Sequence, residues 1–450
     1  MHKIVLPKFS ENIFRAYDIR GKYPEEINED AAYKIARSHA TYLKLGIRSE
    51  KLEIVVSSDD RSSSPALKKA FIDGLLDEGA NVIDVGITTT PMHYFVVNKT
   101  NADGGAMVTA SHRPFEYNGI KLSKKGAEIL GEGSGLEEIR NTALRGVFLN
   151  KGQHGSVNEK NFIEEYADFF EEKFSDLKNS KIKINANLEN SSVKLIFNNL
   201  ISRFSGFKID SKKYDIGVSF DRDGDRIKFG DENGNEISGD LITALLIKRF
   251  KEYFFLRGFN QEGIITLPQT FSPSFVCSIN SSRVVKEEIE KYGGRAIESR
   301  VGHSFIKKAM RESNAVFGGE LSGHYYFQDF FYCDSAIFAM FCVIDLIKKE
   351  GKSLGELIKP LLRYSVTSEL NFNVQNKELY IDKAAAAFSN GKISYKDGIK
   401  IDYPDWWFLL RPSNTEDVIR LRVEATTTEL LEEKKNLVLK LLALDVRRQN

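Results

Sequence analysis

Gly104-Gly105-Ala106-Met107-Val108-Thr109-Ala110-Ser111-His112-Arg113-Pro114 is a short apolar run that opens with two glycines and closes in a polar turn. Ala106-Met107-Val108 suits a buried strand, while Pro114 blocks helix propagation and biases Arg113 toward extended backbone. Ser111 is therefore expected at a strand's end, in a constrained loop. A serine in such a loop ordinarily serves the turn itself. Whether it does chemistry depends on what the rest of the chain brings to it.

Strand-like and helix-like patterns alternate on either side, as in α/β domains. Residues 30–45 place Ala32, Ile35, Ala36, Tyr42 and Leu45 near one helical face, and Leu52-Glu53-Ile54-Val55-Val56 reads as a strand. A helix over 65–78 leads through Gly79 into the strand Asn81–Val85, and Ile120-Lys121-Leu122 forms another. Ahead of these, Phe14-Arg15-Ala16-Tyr17-Asp18-Ile19-Arg20-Gly21 is either a surface loop or the anion-reading lip of a cleft. The polar, glycine-rich stretch at 145–158 marks a domain boundary.

Beyond it come a helix bearing Phe162, Tyr166, Phe169 and Phe170, a strand at 181–185, a helix at 191–203 and the strand Tyr214–Phe220. That last strand runs into Asp221-Arg222-Asp223-Gly224-Asp225-Arg226, the strongest chemical signal in the chain. In an extended segment residues two apart share a side, so the three carboxylates can converge on one hard cation. An EF-hand is excluded, although Glu232 stands at its twelfth position. Arg226 occupies the place of its obligatory glycine, and a strand precedes the loop instead of a helix. Asp231-Glu232-Asn233-Gly234-Asn235 reads as a turn.

A further α/β segment follows from about 251, with Ile264-Ile265-Thr266-Leu267 as a strand and 284–292 as a helix; Gly302 opens the next helix, with His303 near its N-terminus. Ala315-Val316-Phe317 then breaks into Gly318-Gly319-Glu320-Leu321-Ser322-Gly323-His324, whose carboxylate, hydroxyl and imidazole can bond several hydroxyls of a polyol. The apolar helix at 334–348 is core. The last segment runs from Tyr364 to a helix at 427–445 and contains Arg411-Pro412-Ser413-Asn414-Thr415-Glu416, a set of donors suited to a phosphate dianion.

At 450 residues the chain exceeds one core, and about 150 residues per domain implies about three. With 64 Lys+Arg against 63 Asp+Glu there is no global field for nucleic acid or an anionic membrane. The three cysteines have neither metal-ligand spacing nor a disulfide framework, which fits a reducing compartment. The N-terminus lacks the apolar stretch of about 7 to 15 residues of a signal peptide, and no run reaches about 18 apolar residues, so a cytoplasmic protein is expected.

Four loops thus offer a phosphorylatable hydroxyl, a divalent-metal site, a polyol reader and a phosphate reader. In that order, over essentially the whole chain, they resemble the TASHNP, DxDxDR, GExSGH and RxSxTE motifs of the α-D-phosphohexomutases, phosphomannomutase/phosphoglucomutase branch. The resemblance implies three similar α/β domains with mixed sheets plus a C-terminal α+β domain around a central cleft, at 1–150, 151–250, 251–363 and 364–450. That is one domain more than the length alone implies.

It further implies that Ser111 carries the phosphoryl group, and that Asp221, Asp223, Asp225 and a phosphoserine oxygen hold one Mg²⁺. Arg226 would sit against the phosphoserine. Glu320, Ser322 and His324 would read sugar hydroxyls, Arg411, Ser413, Asn414 and Thr415 the unreactive phosphate, and Tyr17 and Arg20 would line the cleft. Lys121 is the first choice for moving a proton, with Arg20 and His303 as helpers. The expected activity interconverts hexose 1- and 6-phosphates of mannose or glucose through a hexose 1,6-bisphosphate, which also serves as activator. Phosphoglucosamine mutase, a hydrolase and a silent sugar-phosphate-binding protein are the rivals. Sugar phosphates are the expected partners, in a monomer or weak homodimer. Arg113 stands where the family commonly has asparagine, and Asn414 and Asp417 replace a more usual glycine and proline. Leu321 resembles the methionine of the mannose/glucose branch, where glutamine would favour glucosamine.

Overall fold

The computed structural model describes residues 10–47, 52–149, 154–189, 191–257, 272–374, 376–413 and 418–442. Contacts divide the chain into two units, Met1–Asn235 with His324–Gly351 and Glu236–Gly323 with Lys352–Asn450. The expected strand at 264–267 and the residues Asn414 and Thr415 lie outside the described residues.

The first unit opens with β1 (Ile19–Lys22), β2 (Leu52–Ser58), β3 (Ala80–Ile87), β4 (Gly104–Val108), β5 (Tyr117–Lys124), β6 (Glu128–Ile129) and β7 (Val157–Glu159). They form a seven-stranded sheet in the order β1-β5-β4-β2-β3-β7, with β6 on β5. The stretch β4-β2-β3-β7 is parallel, and β5 is antiparallel to both β1 and β4. Ile54, Val55 and Val56 are all buried, the continuous apolar run of a strand covered on both faces. The helices are α1 (Glu29–Ile47), α2 (Ser64–Asp77), α3 (Thr90–Lys99) and α4 (Leu136–Arg145). Thr89 caps α3 through Met92 N–H, with Pro91 in the first turn.

Because Val157 pairs with Val82, the chain beyond residue 150 still contributes to the first sheet, and a boundary at 150 falls too early. Polar composition alone does not reveal that a short exposed strand follows.

β8 (Ile182–Asn187), β9 (Phe207–Ile209), β10 (Ile216–Phe220) and β11 (Ile227–Gly230) follow in the spatial order β11-β10-β8-β9, with α5 (Ile163–Lys173) and α6 (Ser191–Ser202). β10 is parallel to β8 and antiparallel to β11, so it delivers its C-terminal loop beside a hairpin.

The second unit starts with β12 (Glu236–Ile237) and α7 (Gly239–Arg257), then β13 (Ser274–Ser278), α8 (Arg283–Lys291), β14 (Arg295–Ser299), α9 (His303–Ser313) and β15 (Phe317–Gly319). β13 is parallel to both β14 and β15. The expected boundary at 250 falls inside α7, since no glycine or proline interrupts its apolar run there.

The chain then returns to the first unit with the antiparallel pair β16 (Tyr325–Phe327) and β17 (Cys333–Asp334) and the helix α10 (Ala336–Glu350). Phe338 and Phe341 of α10 meet Phe170 and Phe174 with ring centroids 5.0–5.8 Å apart. At these separations the ring pairs add to simple area burial.

The second unit closes with α11 (Leu354–Ile358), α12 (Lys377–Ala387), α13 (Thr428–Leu442) and an antiparallel sheet. Its strands are β18 (Ser365–Val366), β19 (Leu370–Asn373), β20 (Lys392–Ser394), β21 (Ile399–Asp402), β22 (Trp406–Pro412) and β23 (Val418–Ala425). A buried Arg422–Asp240 pair at 2.7 Å ties β23 to α7, and Trp407 Nε1 donates to buried Glu424 at 2.7 Å. No described helix is long and apolar enough to cross a membrane.

The strand that leads to Ser111 is packed without slack. A Cβ on Gly104 would lie 2.6 Å from the Ser123 carbonyl oxygen, and one on Gly105 would lie 2.6 Å from His93 Nε2. Beside them His39 is fully buried, with Nε2 3.0 Å from that Ser123 oxygen. Burial pushes the His39 imidazole down from 6.5 to about 4, so the fold keeps it neutral. The unfolded chain therefore takes up this proton first as pH falls. We predict that stability is lost from about pH 6.5 down to about pH 4, by up to about 3 kcal/mol from this group. Thermal unfolding across that window should show a smaller loss in His39→Gln than in the parent chain; equal losses would refute the assignment.

Candidate active site

Ser111 sits three residues beyond the end of β4, buried, with φ at +51°. Left-handed backbone at a non-glycine residue costs about 1–3 kcal/mol and persists only where its surroundings hold it. Here the Ser111 N–H donates to Thr109 Oγ1 at 2.9 Å, and Arg61 donates to the Ser111 carbonyl at 2.6 Å. The result aims Ser111 Oγ at Asp221, to which it donates at 3.0 Å.

Asp221, Asp223 and Asp225 converge as the spacing implies, but by a turn instead of an extended run. Gly224 takes φ +70°, its N–H donates to the Asp221 carbonyl, and the Asp221 N–H donates to the Arg226 carbonyl. Glycine is needed at that left-handed position, where extended alternation would carry the chain away. One oxygen from each carboxylate lies within 4.8 Å of the others. The start of α3 fixes the middle one: Thr90 Oγ1 donates to Asp223 Oδ2 at 2.7 Å and Thr90 N–H to the Asp223 carbonyl at 2.8 Å. A helix N-terminus favours negative charge at that place.

Lys121, buried on β5, reaches Asp223 at 2.7 Å and also pairs with Asp225. Burial opposes its charge, but the two carboxylates outweigh burial and hold the ammonium above the usual lysine range. Burial likewise opposes ionisation of the three acids. Lys121 overrides it at Asp223 and Asp225, whereas burial and its two neighbours push Asp221 well above the ordinary range. Asp223 Oδ1 and Asp225 Oδ1 are buried and accept no hydrogen bond among the described residues. Oxygen ligands from three carboxylates, two of them with an oxygen lacking a donor, fit a hard divalent cation.

Around this centre, Arg226 Nε stands 3.7 Å from Asp221 and 4.0 Å from Asp225. His324 Nδ1 lies 2.8 Å from Asp334 and 3.8 Å from Asp225, which places this imidazole beside the metal loop. Arg20, on β1, is paired with Asp18, and Tyr17 is half-buried just before that strand. Burial, with Arg226 and Arg20 nearby, pushes His112 down to about 3, so its ring is neutral 3.4 Å from Ser111 Oγ.

The second unit gathers the other predicted residues. Gly302 N–H, just ahead of α9, donates to the buried Glu320 carboxylate at 3.3 Å, so Glu320 lies at the end of α9 that carries His303. Arg411 is buried on β22, 4.0 Å from Asp397 and 3.5 Å from Glu369. Asp397 accepts from Val301 N–H at 3.0 Å, which joins the β14–α9 turn to the Arg411 strand. Ser413 is buried with its N–H on the Val418 carbonyl, and Ser322 is exposed. Gly239 touches this region from α7: a Cβ there would lie 2.5 Å from the Leu321 carbonyl oxygen.

Arg61, Asp334, Asp397 and Glu369 are absent from the sequence reading. Arg61, Asp397 and Glu369 meet partners far along the chain, and Asp334 faces His324 ten residues before it. Arg61 alone had a usable signal, its place after the C-terminal end of a parallel strand, where α/β sheets build sites.

A hydroxyl on one carboxylate of a cation cradle, in a multidomain α/β chain with a separate arginine-bearing loop, defines an enzyme of phosphoryl transfer. Residues 11–145 match the phosphoglucomutase/phosphomannomutase alpha/beta/alpha domain I, 238–364 the alpha/beta/alpha domain III and 369–441 the C-terminal domain. The chain belongs to the phosphoglucomutase/phosphomannomutase family, and it is a phosphohexose mutase.

It is 35% identical to a phosphomannomutase of Methanocaldococcus jannaschii, over 95% of this chain and 98% of that one. A phosphomannomutase of Vibrio cholerae is 32% identical with the same coverage. The crystal structure of a phosphoglucomutase/phosphomannomutase family protein from Burkholderia thailandensis superposes with a TM-score of 0.81 at 26% identity, covering 97% of this chain and 98% of that one.

Two predictions follow from this geometry. Mg²⁺ at about 100 times its Kd should stabilise the protein by about 2.7 kcal/mol. Asp221→Asn should lose that response without lowering the metal-free unfolding temperature, because it removes one of three crowded acids. Differential scanning fluorimetry with and without Mg²⁺ checks both parts. Gly239→Ala should displace the Glu320-Leu321 backbone and raise KM for a hexose phosphate about 10-fold, the scale of one charged hydrogen bond. An unchanged KM in steady-state kinetics would exclude that link.

Proposed function

We propose that this mutase interconverts the 1- and 6-phosphates of mannose or glucose by way of phospho-Ser111 and a hexose 1,6-bisphosphate. The observation that carries the reading is Ser111 Oγ at 3.0 Å from Asp221, one of three converging carboxylates. In the first transfer the P–O bond to Ser111 Oγ breaks and a bond forms to the free sugar hydroxyl; the hydroxyl proton passes to the freed serine oxygen. The bisphosphate turns around, and the other phosphoryl group returns to Ser111 with the reverse proton movement.

Mg²⁺, held by Asp221, Asp223, Asp225 and a phosphoserine oxygen, would neutralise charge that builds up on the transferring group. Lys121, held as an ammonium by Asp223 and Asp225, is assigned to give its proton to the freed serine oxygen and to regain one from the sugar hydroxyl, with Arg20 and His303 assisting. Glu320, Ser322 and His324 are assigned the sugar hydroxyls, and Arg411, Ser413, Asn414 and Thr415 the resting phosphate. Arg226 and Tyr17 complete the set. For His324 this assignment adds sugar contact to a ring that already faces Asp225 and Asp334. The proposed domain plan is four segments, in line with the matches at 11–145, 238–364 and 369–441.

Incubation with Mg²⁺, a trace of glucose 1,6-bisphosphate and mannose 1-phosphate, glucose 1-phosphate or glucosamine 1-phosphate tests this. The expected product is the 6-phosphate, fastest for mannose or glucose. Free phosphate would mean a hydrolase, and binding without turnover a sensor. Ser111→Ala should lower kcat at least about 1000-fold, the scale of a lost nucleophile. Normal turnover by that variant would end the phosphoserine mechanism.

A further inference from the structure

We infer that the turn Asp59-Asp60-Arg61 after β2 is a positioning device that sets both reacting loops, Arg61 the phosphoserine loop and Asp60 the metal loop. The inference rests on the phosphoserine chemistry proposed above.

Arg61 is fully buried, and all five of its guanidinium donors are used. Nε donates to Asp59 at 3.0 Å. One terminal nitrogen donates to the Pro114 and Tyr117 carbonyls at 2.7 and 3.0 Å. The other donates to the Ser111 and Arg113 carbonyls at 2.6 and 2.7 Å. One planar group thereby fixes four carbonyls of a seven-residue loop, including that of the left-handed serine. Asp59 is itself fixed, accepting from Ser64 Oγ at 2.6 Å and from Arg61 N–H at 3.2 Å. Asn118, at the far end of the loop, donates to Ser63 and Ser64.

Asp60 faces the other loop. It pairs with Arg222 at 3.2 Å, and Arg222 lies 4.0 Å over the ring of Phe115. Phe115 is 64% exposed, so this cation contact, not burial, holds it. Arg222 stands between the first two metal-loop aspartates, so the chain Asp60, Arg222, Phe115 connects the β2 turn, the metal loop and the phosphoserine loop. Ser111 Oγ and Asp221 meet where these two restraints end.

Lysine has three donors on a point charge and cannot fork to four carbonyls. Arg61→Lys keeps the charge opposite Asp59 while releasing the loop. A misplacement of about 1 Å costs on the order of 100-fold in rate. The test follows phosphoryl incorporation into Ser111 from glucose 1,6-bisphosphate and Mg²⁺ by intact mass, alongside kcat, KM and unfolding temperature.

The expected result for Arg61→Lys is incorporation and kcat both about 100-fold slower per folded molecule, with KM for the 1-phosphate within about 3-fold of the parent. Asp60→Asn should leave the unfolding temperature unchanged and raise the Mg²⁺ concentration for half-maximal incorporation about 3- to 5-fold, the scale of a part-exposed ion pair. Incorporation at the parental rate in Arg61→Lys overturns the inference. If that variant does not fold, an unaltered Mg²⁺ dependence in Asp60→Asn overturns it instead. Absence of phosphate from parental Ser111 would end the phosphoserine reading itself, and this inference with it.

Discussion

Two buried acids and a third, half-buried one, with one lysine among them, impose the constraint from which the rest of the first unit follows. Two like charges about 4 Å apart repel by about 4 kcal/mol at an effective dielectric near 20, so the cluster survives only with help. Lys121 supplies one positive charge, Thr90 and the start of α3 supply donors, and Arg226 stands at the rim. These do not saturate the site, since one oxygen on each of Asp223 and Asp225 accepts no hydrogen bond among the described residues. An arrangement of this kind could hold a dication, and Ser111 Oγ donates to one of its three acids.

The second unit holds its charged groups in a different way. Its buried arginine sits opposite acids that keep it in place, and the peptide N–H groups of Val301 and Gly302 are bonded to Asp397 and Glu320. The Asp240–Arg422 pair fastens the sheet that bears Arg411 to the helix whose first residue touches Leu321. Such a buried pair contributes little net stability but is strongly destabilising to break on one side. Its value here is geometrical, because it holds the strand next to Arg411 against the helix that starts beside Leu321.

Much of this was legible in the sequence where chemistry is local. Asp221, Asp223 and Asp225 announce themselves by spacing, and the apolar periods around residues 30–45, 65–78 and 334–348 give helices close to their observed limits. What local patterns cannot carry is partnership across distance. Arg61 is an unremarkable residue in a serine-rich turn until Ser111, 50 positions on, folds back against it. Gly224 looks like a spacer but is what bends the metal loop. The boundary at 250 failed because a helix crosses it without a break in composition, and the one at 150 because the strand after it is short and polar.

Arg61 grips its loop through main-chain oxygens alone. Every residue offers the same carbonyl whatever its side chain, so the grip is blind to the letters between Ser111 and Tyr117. The side chain at 113 therefore has no part in what holds the serine two positions earlier. The loop's shape is thus set by one side chain 50 positions before the serine, while its own side chains are left out of that grip.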